Sequence, residues 1–115
     1  TPANQPATQK AKRVMKTLLN TGLKAEDIEA IKRVMQQHPG INSVILYGSR
    51  AKGNYRNNSD IDLCLIAPDI NYSEFSQISL ELDDLMLPYD IDLSLQHHIE
   101  NQELLEHIAR VGKPL

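Results

Sequence analysis

The spacing of apolar residues predicts two helices in the first third of the chain. The first candidate helix ends before Gly22, and its apolar positions lie at helical spacing: Ala11, Val14, Met15, Leu18 and Leu19. The second is predicted over residues 25–37, and the Pro39-Gly40 pair ends it. Its apolar stripe consists of Ile28, Ile31 and Met35. Both segments are therefore expected to be amphipathic helices.

The period changes after Gly40, where short apolar runs with β-branched residues replace the helical spacing. Three strands are predicted, at residues 41–47, 61–67 and 89–95. Between the first two strands, residues 48–59 are rich in Gly, Asn and Ser. We expect a loop there, with one helical turn after Ser49.

Two further helices are predicted among and after the strands. One extends from a cap at Ser73 to the residues before Pro88, and the other covers residues 101–111. The apolar face of the former consists of Phe75, Ile78, Leu82 and Leu85. The resulting order of elements predicts an α/β or α+β fold, in which a small mixed sheet of about three or more strands is flanked by helices.

Length, charge and cysteine content favour one domain in a reducing compartment. The chain has 115 residues and a formal net charge of −3, which argues against bulk electrostatic binding of nucleic acid. Residues 1–7 are polar and contain proline, so we expect a disordered tail before a single domain at residues 8–115. The lone Cys64 excludes an intrachain disulfide. Because no apolar run reaches the roughly 20 residues of a membrane span and no signal peptide is visible, we expect a cytoplasmic protein.

Acidic residues stand at the entrances of the second and third predicted strands. Strand side chains two positions apart share a face, about 6.6 Å from each other, so Asp60 and Asp62 point the same way. Asp92 repeats the pattern, because the sequence DIDL occurs at 60–63 and again at 90–93. Such carboxylates repel each other unless a divalent cation lies between them, and oxygen ligands suit Mg²⁺. If the strands are neighbours, three carboxylates can hold two metal ions for phosphoryl chemistry.

The simpler interpretation of these acidic residues is that each pair is only a polar, solvent-exposed part of a turn. Asp90 remains ambiguous in this respect, since it follows Pro88-Tyr89 at the strand entrance. A single D-x-D pair is more often a polar turn than a metal site. The second pair and the preceding Gly-Ser turn favour the metal site.

The turn between the first strand and the loop has features that suit a polyanion. Gly48 permits positive φ and lets a phosphate approach the backbone without a Cβ in the way. Ser49 offers a hydroxyl, and the N–H groups of a following helical turn would point at the same place. Arg50 and Lys52 supply positive charge beside it, as does Arg56.

The spacing of turn and carboxylates resembles a family signature. Gly48-Ser49, ten further residues and Asp60-x-Asp62 are similar to the G-S-x(10)-D-x-D motif of the polymerase-β-like nucleotidyltransferase superfamily. The opening GSRAKG and the short chain resemble its minimal nucleotidyltransferases, which act with HEPN-domain partners. The resemblance covers residues 41–115, with the core motif in 41–95. It implies that Gly48 and Ser49 bind the triphosphate.

The resemblance also implies roles for the acidic residues and for a partner. Asp60 and Asp62 would bind Mg²⁺ in a two-metal site, with Asp92 as the third carboxylate that helps to activate the acceptor hydroxyl. The implied reaction is transfer of AMP from ATP to a hydroxyl, a tyrosine in some relatives, of a HEPN toxin that the protein neutralises as an antitoxin. The chain is short, so we expect the partner to present the acceptor.

Other functions and assemblies stay open from the sequence. One alternative is a non-catalytic module that neutralises a partner by occlusion, and another is a small-molecule transferase that modifies antibiotics. Neither direct nucleic-acid binding nor a membrane association is expected. The sequence leaves open the nucleotide, and also whether the protein forms a homodimer or a hetero-oligomer.

Histidine, cysteine and tyrosine residues outside the motif have simpler interpretations. His38 is expected to complement a helix dipole, and His107 to lie on a polar helix face. The adjacent His97 and His98 are expected to be surface residues and not ligands of one metal ion, because neighbouring strand residues point to opposite faces. Cys64 is predicted in the core and Tyr47 in strand packing.

Overall fold

A mixed sheet of four strands forms the centre of the fold, with helices on both of its faces. The computed structural model describes residues 20–115. The predicted tail at 1–7 and the predicted helix before Gly22 lie outside these residues. The mixed sheet flanked by helices confirms the fold class expected from the sequence. Within the described residues, no helix is both long and apolar enough to cross a membrane.

The elements follow the predicted order, with one addition at the C-terminal end. The helices are α1 (Ala25–Gln36), α2 (Gly48–Lys52), α3 (Tyr72–Asp83) and α4 (Gln102–Val111). The strands are β1 (Ser43–Tyr47), β2 (Ile61–Ile66), β3 (Ile91–Leu95) and β4 (Lys113–Pro114). A 3₁₀ turn at Gln96–His98 follows β3 and holds the two adjacent histidines, both exposed. The two-residue strand β4 was not expected, because so short a segment has no period to detect.

The strands pair in the order β3-β2-β1-β4, which places β3 at one outer edge of the sheet. Strand β1 runs antiparallel to both β2 and β4. Strands β2 and β3 are parallel, with Ile61 opposite Ile91 and Asp62 opposite Asp92. The connection between them is α3, the usual crossover for parallel strands. As a result, the two DIDL segments lie side by side.

The two faces of the sheet bury different sets of side chains. Alternate residues of β1, β2 and β3 pack against α1 and α3 in the main core, which includes Leu46, Ile61, Leu63, Leu65, Ile31, Ile78 and Leu82. The other face, covered by α4, buries Tyr47, Cys64 and Ile108. Cys64 is fully buried, and burial raises the pKa of its thiol, so it acts as a small apolar core residue. The carboxylates of Asp62 and Asp92 share this second face by strand alternation.

Asparagine side chains cap the two C-terminal helices. The Asn71 side chain accepts a hydrogen bond from the Glu74 amide at 2.8 Å, and α3 therefore begins at Tyr72. The prediction of Ser73 as the cap was wrong by two residues, because both residue types can cap and the chain turns at Asn71. Asn101 caps α4 in the same way, at 3.2 Å from the Leu104 amide.

His38 connects the end of α1 to the face of α3. Its Nδ1 lies 2.9 Å from a Glu74 carboxylate oxygen, and its Nε2 lies 2.7 Å from one of Glu81. Only a doubly protonated imidazole can donate at both nitrogens. Burial lowers the pKa of His38, but the hydrogen bonds and charges of Glu81 and Glu74 outweigh it and raise the pKa above its ordinary 6.5. His38 thus makes two long-range ion pairs, which the sequence analysis did not predict, in addition to its expected interaction with the helix dipole.

We expect His38→Ala to destabilise the protein more at pH 6 than at pH 8. Because the folded-state pKa is raised, the ion pairs stabilise the fold fully below pH 6.5, and this stabilisation is lost as the pH rises through the folded-state pKa. At pH 6 the loss should be about 1–2 kcal/mol, the range for hydrogen bonds to partly exposed charged groups. Urea unfolding of wild type and variant at both pH values measures it. The exposed His98, changed to Ala, is the control, and an equal loss at both pH values would contradict the prediction.

Candidate active site

Two aspartates from neighbouring parallel strands lie side by side on the face covered by α4. Asp62 on β2 and Asp92 on β3 are register partners, so their side chains leave the sheet in the same direction. Asp60 precedes β2 by one residue, and its charge acts on Asp62. The structure therefore brings Asp62 and Asp92 side by side, with Asp60 near enough for its charge to act on Asp62.

The acidic residues repel one another at this place. Burial raises the pKa of Asp62, and the charges of Asp92 and Asp60 add to this effect, so that the pKa reaches about 6. Within residues 20–115, the only ion pairs are those of His38, so no Lys or Arg neutralises these carboxylates. The site therefore has an excess of negative charge that a bound cation would relieve.

The donor atoms of this site fit a hard divalent cation. All three side chains offer carboxylate oxygens, which Mg²⁺ prefers. Asp62 and Asp92 form the adjacent pair, whereas Asp60 is exposed at the entrance of β2. As the side chains stand, no three His, Cys, Asp or Glu residues in the described part of the chain are gathered closely enough to enclose an ion.

The Gly-Ser turn lies directly against Asp62. Gly48 has φ +76°, a left-handed conformation that favours glycine. A Cβ at this position would overlap the Asp62 carboxylate. Ser49 follows in α2, which ends at Lys52, an exposed residue. The structure thus places the predicted nucleotide-binding turn against Asp62, one of the three predicted metal ligands, and the expected helical turn after Ser49 is present.

Arg50, which the sequence groups with the nucleotide-binding residues, points into the protein. It is 1% exposed, and its guanidinium donates hydrogen bonds to backbone carbonyl oxygens of Thr21, Ser59 and two further loop residues. A bond to a phosphate would require the buried guanidinium to become accessible. The structure therefore does not place Arg50 beside Gly48 and Ser49 at the surface of the site. The reason is long-range packing, which the local sequence does not show.

His107 contacts the Gly-Ser turn, a role that the sequence interpretation missed. Its Nε2 accepts a hydrogen bond from the Gly48 amide at 3.3 Å, and its ring meets the edge of the Tyr47 ring at 6.2 Å between centroids. The Tyr47 hydroxyl in turn lies 3.4 Å from the Ser94 hydroxyl, in line with its expected role in strand packing. Because His107 lies 59 positions after Gly48 in the sequence, the helical pattern alone gave only a polar position on α4.

A mixed sheet that presents aspartates from two adjacent strands beside a Gly-Ser turn is the fold and site of a nucleotidyltransferase. Comparison with known proteins supports this class. Residues 29–115 match the family described as Polymerase beta, Nucleotidyltransferase, and the chain belongs to that family. The membership inferred from the G-S-x(10)-D-x-D spacing is confirmed.

The individual proteins that the chain resembles have low sequence identity to it. The chain is 26% identical over 98 residues to a probable protein adenylyltransferase, MntA, of Haemophilus influenzae; the match covers 84% of this chain and 85% of the relative. Among solved structures, a toxin–antitoxin complex with AMP-PNP aligns with a TM-score of 0.62 and 24% identity, over 80% of this chain and 72% of that chain. A mutant of the toxin–antitoxin MntA-HpeT aligns with a TM-score of 0.61 and 21% identity, over 76% of this chain and 70% of that chain. These structural likenesses establish the fold.

Proposed function

We propose that this nucleotidyltransferase transfers AMP from ATP to a hydroxyl of a partner protein, and that it thereby acts as an antitoxin. The acceptor is a tyrosine of a toxin of the HEPN type. The observation on which the proposal rests most is the juxtaposition of Asp62 and Asp92 beside the Gly48 turn. The relative named as a probable protein adenylyltransferase and the toxin–antitoxin complex with AMP-PNP support this choice of reaction and partner.

The proposed reaction needs metal ions, and the three carboxylates are their proposed ligands. Asp60, Asp62 and Asp92 would hold Mg²⁺, which when bound acts as a Lewis acid on the acceptor hydroxyl and neutralises charge on the phosphates. The raised pKa of Asp62 is consistent with this role, since a cation would restore its ionised form.

The chain's own residues orient the two substrates. The missing Cβ of Gly48 leaves room for the Asp62 carboxylate, so the Gly48 backbone and Asp62 would lie together beside the triphosphate. The Ser49 hydroxyl and amide would donate hydrogen bonds to the triphosphate, and Lys52 would add positive charge. In the reaction, the acceptor oxygen forms a bond to the α-phosphorus as the bond to the β-phosphate oxygen breaks, and pyrophosphate leaves. We assign to Asp92, which is exposed on the edge strand β3, the role of taking the proton of the acceptor hydroxyl. Positioning and charge neutralisation then supply most of the rate acceleration.

The test is incubation of the protein with the product of the adjacent gene, ATP labelled at the α-phosphate and Mg²⁺. We expect label on a tyrosine of the partner, none after that tyrosine is changed to Phe, and less label from GTP, CTP or UTP. Failure of folded wild-type protein to label its partner would overturn the proposal. Neutralisation without labelling would favour occlusion, and labelling of an aminoglycoside in the absence of any partner would favour a small-molecule transferase. With ATP as the donor, the cytoplasm is the expected location.

A further inference from the structure

The guanidinium of Arg50 is the centre of a buried cluster beside the active site. Although it is charged, Arg50 is only 1% exposed, and no carboxylate among residues 20–115 pairs with it. A buried cation without such compensation is costly unless all of its donors are satisfied. Each of its three guanidinium nitrogens donates to a carbonyl oxygen here, and the guanidinium carbon lies over two aromatic rings.

The hydrogen bonds of Arg50 hold the loop that leads into β2. Its Nε donates to the Ser59 carbonyl at 3.1 Å, and its Nη2 donates to the carbonyls of Asn57 at 3.3 Å and Arg56 at 3.5 Å. Ser59 directly precedes Asp60. A hydrogen bond within the loop stabilises it further, because the Arg56 amide donates to the Ser59 hydroxyl at 2.8 Å. The guanidinium thus fixes the backbone from which Asp60 and then Asp62 follow.

Two tyrosine rings complete the cluster from other segments. The Arg50 Cζ lies 5.0 Å from the centroid of the Tyr55 ring and 4.7 Å from that of Tyr89. Both distances are within the range of a cation–π interaction. Tyr89 stands three residues before Asp92 on the chain that enters β3. Arg50 therefore contacts the segments that deliver the carboxylates of both strands.

Thr21 and Gly22 also contact the cluster. Arg50 Nη1 donates to the Thr21 carbonyl at 2.9 Å, and a Cβ at Gly22, where φ is +73°, would overlap the Tyr55 ring. Both residues precede the part of the chain that matches the family, residues 29–115. The cluster therefore uses residues outside the family signature.

From these contacts we infer that Arg50 is a positioning residue, which sets the placement of Asp60 and Asp62 relative to Asp92. The inference goes beyond the proposed function and uses its reaction only as one readout. The Ile61 amide donates to the Asp90 carbonyl at 2.8 Å, so the two carboxylate-bearing segments are also bonded directly at the point that Arg50 supports. A direct bond from Arg50 to a nucleotide phosphate is the competing role. The guanidinium is planar and has five donors, which a lysine ammonium cannot reproduce.

Substitutions of Tyr89 test the inference without changing the charge or touching the Gly48 turn. Tyr89→Leu removes the aromatic face, Tyr89→Phe retains it, and Tyr72→Leu alters an aromatic ring that is 71% exposed, as a control. We expect Tyr89→Leu to lower kcat for AMP transfer about tenfold, with a KM for ATP within about twofold of wild type, because misplaced ligands affect the chemical step. Tyr89→Phe and Tyr72→Leu should retain wild-type kcat.

Amide hydrogen exchange gives a second readout that does not need activity. The amides of Ser59 and Ile61 are hydrogen bonded to Arg56 and Asp90, and they should exchange faster in Tyr89→Leu and Arg50→Lys than in wild type or Tyr89→Phe. Wild-type exchange and kinetics in Tyr89→Leu would overturn the inference. So would an Arg50→Lys variant that raises KM for ATP while kcat and exchange stay unchanged, since that result identifies a phosphate ligand. If wild type shows no AMP transfer, the proposed function fails and the exchange rates alone decide this inference.

Discussion

Asp62→Asn will abolish nucleotidyl transfer and at the same time stabilise the free protein. The transfer rate should fall on the order of 1,000-fold, because the amide cannot supply the negative charge that the proposed Mg²⁺ site requires. Stability should change in the opposite direction. The pKa of Asp62 is raised to about 6, so folding makes ionisation of this carboxyl unfavourable, and stability is lost as the pH rises from about 4 through 6. Asparagine has no such loss.

The gain at pH 7 is expected to be about 1 kcal/mol, after allowance for the solvent that screens this partly exposed group, or roughly 4 °C in Tm. Thermal unfolding at pH 7 and pH 4.5 in the presence of a chelator measures it, and the difference between variant and wild type should shrink at the lower pH. Asp69→Asn makes the same chemical change on an exposed loop and should alter neither activity nor Tm. A less stable Asp62→Asn protein at pH 7 would show that the repulsion described above does not govern this site.

Gly48→Ala will impair both folding and activity. The residue has φ +76°, and the new Cβ would overlap the Asp62 carboxylate. We expect a loss of about 2 kcal/mol or more in the free energy of unfolding, from the left-handed backbone together with the steric overlap. Transfer activity should fall on the order of 100-fold, because the turn and the carboxylate must move apart.

Gly53→Ala separates the two causes of this effect. Gly53 also has positive φ, +88°, but the nearest atom to its added Cβ is the Asn20 carbonyl oxygen at 4.0 Å. This variant therefore has the backbone cost alone, about 1 kcal/mol, and should retain most of the activity. Denaturant unfolding and initial rates for both variants check the difference. Equal losses in the two proteins would mean that the close approach of Gly48 to Asp62 is unimportant.

Local patterns were sufficient to predict most elements and the acidic pair. The alternation in DIDL places Asp60 and Asp62 on one face, and the same tetrapeptide at the start of the third strand places Asp92 on the corresponding face. Because the alternation of side chains depends only on the backbone of each strand, these two predictions hold for any order of the strands in the sheet. What the pattern could not give was the strand order, and the order is what makes Asp62 and Asp92 neighbours.

Long-range packing explains the features that the sequence did not reveal. A cation in a Gly-rich turn after a strand suggests a phosphate ligand, yet Arg50 is buried by the Thr21 carbonyl and by Tyr89, 29 and 39 positions away along the chain. His38 likewise finds Glu74 and Glu81 only after α1 and α3 have packed together. Residue type and spacing do not encode such partners, since each depends on the completed fold.

Strand β3 forms the rim of the sheet, and Asp92 is exposed on it. In the part of the chain that the structure describes, no further strand borders it on the outer side. A rim can receive a whole folded macromolecule, whereas a deep cleft admits only small molecules or extended peptides. Under the proposed function, the acceptor protein would approach Asp92 from this edge, and its own surface would contribute to the selectivity of the transfer.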